Sequence, residues 1–125
     1  MIVVIDDRDL VQQGFSGMFQ RIGYPVFGVS GKELPNWLDS ICNNEMESIE
    51  AFLVGQTESE SCPVNQIRQV TKLPVIAVLE QNSLPEILRQ FEVGADDVVR
   101  KPVHVREILA RVTAIMKTRL APRIR

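Results

Sequence analysis

The stretch Gly94-Ala-Asp-Asp-Val-Val-Arg-Lys-Pro-Val103 holds a helix stop, a strand and a functional end within ten residues. Gly94 suits the C-cap of a preceding helix. Asp97-Val-Val99 is a short β-branched strand, and Lys101 is delivered at its carboxyl end, where Pro102 stops the extended run. A helix, a buried strand and a charged strand end in this order are one unit of an alternating α/β chain.

Working outward, the same unit recurs. Ile2-Val-Val-Ile5, Val26-Phe-Gly-Val29, Ala51-Phe-Leu-Val54 and Pro74-Val-Ile-Ala-Val-Leu79 are the other apolar runs, of the kind a parallel sheet buries on both faces. Between them, Val11, Phe15, Met18, Phe19 and Ile22 recur at helical spacing and end at Gly23; Leu34, Trp37, Leu38 and Ile41 mark a second helix running into the polar Asn43-Asn44-Glu45. Ile67 and Val70 follow Pro63 in a short third helix, and Leu84, Ile87, Leu88 and Phe91 form a fourth. Val105, Ile108, Leu109, Val112, Ile115 and Met116 make the cleanest stripe, the fifth helix. Five strands alternating with five helices predict a parallel sheet with helices on both faces, because right-handed crossovers cover both sides.

The totals set limits. A chain of 125 residues with 45% hydrophobic and 24% charged residues fits one globular domain. A net charge of -2 gives no basic field for nucleic acid, so this chain alone is not expected to grip DNA. No apolar run approaches the roughly 20 residues that span a bilayer, and Met1-Ile-Val-Val-Ile-Asp-Asp7 lacks a basic signal region, so a cytoplasmic chain without membrane contact is expected. Cys42 and Cys62 have no metal-site spacing and are expected to be reduced.

In such folds the working site lies at the carboxyl ends of the strands. Those ends carry Asp6 and Asp7, Gly55 and Gln56, Leu79 and Glu80, and Lys101. Two carboxylates and a lysine could hold a hard cation and a phosphoryl oxygen. The competing reading makes Asp7 a cap of the first helix and Lys101 an ion-pair partner of Asp6.

Ile5-Asp-Asp7, Pro74-Val-Ile-Ala-Val78, Gly94-Ala-Asp-Asp97, Lys101-Pro102 and Arg106-Glu-Ile-Leu-Ala-Arg111 resemble, in order and spacing, the receiver domains of OmpR/PhoB-type response regulators. The resemblance implies a flavodoxin-like (βα)5 fold with sheet order 2-1-3-4-5. It matches Asp6 and Asp7 to the acidic pair that binds Mg²⁺ and Lys101 to the lysine that contacts the phosphoryl group, with the Lys101–Pro102 bond usually cis.

The same alignment puts Gly55 at the phosphoacceptor position, Leu79 at the hydroxyl position of the fourth strand and Val98 at the switch aromatic of the fifth. Glycine offers neither nucleophile nor metal ligand. The expectation is a pseudo-receiver that takes no phosphate by the usual route. Its degenerate pocket comprises Asp6, Asp7, Gln56, Leu79, Val98 and Lys101; Lys101 neutralises the acids, and no cofactor binds beyond weak Mg²⁺ at Asp6 and Asp7.

The resemblance further implies a homodimer through the fourth helix, fifth strand and fifth helix, with Ile87, Arg89, Glu92, Asp97, Arg100, Glu107 and Arg111 at the interface. Residues 1–118 are expected to form the receiver, and residues 119–125 to begin a linker to a winged-helix domain through which alone DNA would be bound. Glu50-Ala-Phe-Leu-Val-Gly-Gln56 and Asp96-Asp-Val-Val-Arg-Lys-Pro-Val-His104 are similar to the FtcR/Rem type of orphan flagellar regulators of rhizobia and relatives. In the residues themselves His104 reads as a surface or capping histidine.

Two other readings stay open. One is a stand-alone receiver-like domain that binds other proteins; the other, more remote, is a flavodoxin-like enzyme using Asp6, Asp7 and Lys101 with Cys62, Ser59 or Ser61 as nucleophile.

Overall fold

β1 (Ile2–Ile5) is the strand around which the sheet is assembled, pairing in parallel with β2 (Val26–Val29) on one side and β3 (Ala51–Val54) on the other. β4 (Val75–Leu79) and β5 (Asp97–Arg100) complete a five-stranded sheet of order β2-β1-β3-β4-β5, as expected. The computed structural model describes residues 1–58 and 61–120. Register sets the strand ends level: Ile5 lies opposite both Val29 and Val54, and Leu79 opposite Arg100.

Side chains alternate across the sheet. Val3, Ile5, Phe52, Val54, Val75 and Ala77 bury one face against α2 (Leu34–Ser40) and α4 (Pro63–Val70). Ile2, Val4, Leu53, Ile76, Val78 and Val99 bury the other against α1 (Asp9–Gln20) and α6 (Val105–Leu120). Phe19, Phe52, Ile67 and Ile108 lose all contact with water, each worth roughly 1.5–3 kcal/mol of transfer free energy. Gly23 and Gly94 have φ of 88° and 117°, so the turns after α1 and α5 (Leu84–Glu92) need residues that accept left-handed backbone.

Three features depart from the periodicity reading. The polar stretch after α2 is itself a short helix, α3 (Asn43–Glu47), whose Glu45 carboxylate accepts a hydrogen bond from the Cys42 backbone N–H at 3.2 Å. It has no buried residue and therefore no apolar stripe to betray it. Second, α5 also buries no side chain fully: Leu84, Leu88 and Phe91 are 65, 52 and 45% exposed. Third, α6 runs through Leu120, past the expected receiver boundary at 118. Within that last turn Arg119 bonds the Lys72 carbonyl and Asp96, and Asp96 also pairs with Arg68 at 2.6 Å. Residues 121–125, the rest of the expected linker, lie outside the described residues.

Candidate functional site at the carboxyl edge

β1 delivers Asp6 into the sheet edge, where the residue is completely buried. The expected partner, Lys101, does not reach it. Arg8, two residues further along the chain, turns back: its Nε donates to Oδ1 and its NH2 to Oδ2 of Asp6, both at 3.0 Å, and its backbone N–H donates to Oδ1 at 2.9 Å. The planar guanidinium matches a carboxylate at two points, which a lysine cannot do. Gln56 supplies a fourth donor, its backbone N–H lying 3.1 Å from Oδ2.

Asp7 caps nothing. Arg8 is the N-cap of α1, and the Asp7 carboxylate instead accepts the backbone N–H groups of Gly31 at 2.7 Å and Glu58 at 2.6 Å, tying together the loops after β2 and β3. Lys101 pairs with Glu80 at 3.1 Å, with its ammonium 5.9 Å from the Phe15 ring centroid, within cation–π range. The Lys101–Pro102 bond is cis. The same Glu80 oxygen lies 2.6 Å from Arg8 NH2. The edge therefore carries a chain of alternating charge, Asp6–Arg8–Glu80–Lys101.

Electrostatics follow from this geometry. Burial alone would raise the Asp6 pKa, but the hydrogen bonds from the Arg8 side chain and backbone and from Gln56, with the guanidinium charge, hold it below the ordinary value of 3.8. Glu80 is lowered by its hydrogen bonds to Arg8 and then Lys101, and Arg8 is raised by Asp6 and Glu80.

Gly55 follows β3, its N–H bonded to the Ile5 carbonyl at 2.8 Å. A Cβ added there would collide with Asp6 Oδ2 and lie 3.1 Å from its Cγ. Asp6 thus occupies the space a side chain at 55 would need. Gly55, Gln56 and Leu79 line a cleft of about 270 Å³ between α4 and α5, while Val98 packs partly buried against the core on the α2 and α4 face.

A divalent ion does not fit this arrangement. Both Asp6 oxygens are committed to N–H donors, both Asp7 oxygens to backbone N–H groups, and position 55 has no carboxylate. Among the described residues no group of three or more His, Cys, Asp or Glu converges to hold a metal.

The residues expected at a dimer face lie together on α5, β5 and α6. Arg111 bonds Asp97 at 2.9 Å and Glu107 at 3.1 Å within the chain, Arg89 pairs with Glu86 at 3.2 Å, Arg100 and Glu92 are exposed, and Ile87 is half-buried. His104 is an exposed cap of α6, its Nδ1 accepting the Arg106 N–H at 3.1 Å. Cys62 packs on the opposite face of the sheet from the helix that His104 caps. Ser59 lies outside the described residues. Sequence reasoning missed the roles of Arg8 and Glu80; a cation immediately after an acidic pair and an acid immediately after β4 were the available signals.

This architecture is the receiver fold of response regulators. A receiver domain protein from Clostridium thermocellum superposes with a TM-score of 0.77 at 21% identity, covering 94% of each chain. A response regulator from Burkholderia pseudomallei with a phosphorylated aspartic acid, calcium ion and citrate gives 0.75 at 18%, covering 94% of this chain and 69% of that one. In sequence, the chain is 46% identical over 117 residues to the flagellar transcriptional regulator FtcR of Brucella abortus, matching 94% of this chain and 52% of that protein. The FtcR of Brucella suis is equally similar. The chain thus spans about half the length of these curated relatives. No protein-family model matches it. No helix among the described residues is long and apolar enough to cross a membrane.

Proposed function

We propose that this chain is the regulatory and dimerisation receiver of an orphan, cytoplasmic transcription factor that activates flagellar genes, and that it works without phosphorylation. The observation that carries the last point is Gly55 closing β3 against an Asp6 already saturated by Arg8 and Gln56. An acyl phosphate needs a carboxylate at that position and a cation beside it. Gly55 supplies no carboxylate, and the cation beside Asp6 is the chain's own.

Self-association through α5, β5 and α6 fits the exposed Leu84, Leu88 and Phe91, flanked by the Asp97–Arg111–Glu107 cluster. Exposed ion pairs contribute about 0–1 kcal/mol each, so the apolar side chains must supply most of the affinity. DNA binding belongs to a winged-helix domain reached through a linker that follows α6, a reading that agrees with the relatives' double length.

The test is incubation with acetyl phosphate and Mg²⁺ followed by intact-mass measurement. An unchanged mass is expected; stoichiometric gain of a phosphoryl group would overturn the reading.

A further inference from the structure

The ion-pair chain at the sheet edge is more than a neutralised remnant. Arg8 grips Asp6, one of the two acids that the receiver resemblance matches to metal binding, through both carboxylate oxygens. Glu80 stands between Arg8 at 2.6 Å and Lys101 at 3.1 Å, so one carboxylate oxygen touches both the cation on Asp6 and the lysine matched to phosphoryl contact. A cation on the acid of β1, an anion on that cation and a lysine on that anion reproduce the charge order of a loaded receiver site.

We propose that Arg8 and Glu80 are built-in counterparts of the metal ion and the phosphoryl group, filling the charge positions that loading would otherwise fill. This rests on the reading of Gly55 as a vacated acceptor position. The mechanical reach is visible in the connections. Arg8 opens α1, Glu80 begins the segment leading to α5, and Lys101 closes β5. One carboxylate therefore fixes three loops, including the one that sets where α5 starts. The arrangement is self-consistent in space: Asp6 can lie against position 55 only because glycine leaves room, and there it meets the Arg8 fork.

The experiment is thermal unfolding of the full chain, followed by circular dichroism, for the wild type, Glu80→Gln and Arg8→Ala, each with and without inorganic phosphate or Mg²⁺ at constant ionic strength. The wild-type Tm is expected to respond to neither ion. Glu80→Gln leaves Arg8 and Lys101 facing the place of the lost charge, so phosphate should raise its Tm by about 3 °C or more. Adding Lys101→Gln should abolish that response. Arg8→Ala leaves a buried carboxylate in need of a cation, so Mg²⁺ should raise its Tm by a similar amount; should this variant fail to fold, Arg8→Gln takes its place. Variants no more responsive than the wild type, or a wild type that responds itself, would overturn the proposal. Phosphorylation of the wild type, read by mass, would instead overturn the reading of Gly55.

Discussion

At the carboxyl edge of β1, Asp6 is wholly buried, and both of its oxygens, both oxygens of Asp7 and the charges of Arg8, Glu80 and Lys101 are engaged within the chain. On α5, Leu84, Leu88 and Phe91 present about half or more of their surface to water. Charged groups usually sit at the surface and large apolar ones inside, so each region inverts the common pattern. The edge has completed its interactions internally, whereas α5 carries an apolar face that the described residues leave largely uncovered. On the function proposed above, the difference separates a strand edge whose charges are satisfied within the chain from a helix face that is open to a partner.

The edge can be broken most severely at Arg8. Arg8→Ala strands a buried carboxylate, and removing one partner of a buried ion pair costs about 3–5 kcal/mol; partial solvation of Arg8 brings the expectation to about 2–4 kcal/mol, read from urea unfolding. Gly55→Asp should cost about 1–3 kcal/mol by overpacking against Asp6, and acetyl phosphate with Mg²⁺ should still add no mass. A restored acceptor with undiminished stability would show that Asp6 moves aside freely.

Acid titrates the same contrast. Asp6 and Glu80 have folded pKa values below their ordinary 3.8 and 4.5, so their contribution is complete above the ordinary values and fades as pH falls through the lowered ones. Urea midpoints should therefore drop below about pH 4, and less steeply in Arg8→Ala. The smallest effect on stability belongs to α5. Leu88→Ser should shift unfolding by no more than about 0.5 kcal/mol, yet weaken self-association by at least about tenfold in sedimentation. Unchanged sedimentation would remove α5 from the interface.

The layout of the sheet was legible in the sequence because buried parallel strands are written as continuous β-branched runs and helices as apolar stripes. Four of the five anticipated helices turn such a stripe inward. The stripe of α5 shows what the pattern cannot say: Leu84, Leu88 and Phe91 are spaced like core residues but face water, since periodicity records that a face is apolar and not what covers it. α3 escaped for the opposite reason: in five residues only Met46 packs against the core, too little to write an apolar stripe. At the site, the positions of Asp6, Asp7, Gly55 and Lys101 along the strand ends were readable, but their pairing was not. Choosing Arg8 over Lys101 for Asp6 depends on how the chain turns after β1 and on the two-pronged shape of a guanidinium, neither of which spacing encodes.

The close approach of Asp6 to position 55 also bears on descent. Any aspartate regained at 55 would arrive in space already filled by Asp6, beside a guanidinium bound to it and a lysine held by Glu80. An acceptor at 55 would therefore meet a site whose acid and lysine already have partners. If position 55 once held the acceptor, as the proposed function implies, its loss would work as a ratchet, because the contacts that fill the vacated space also hold the edge together.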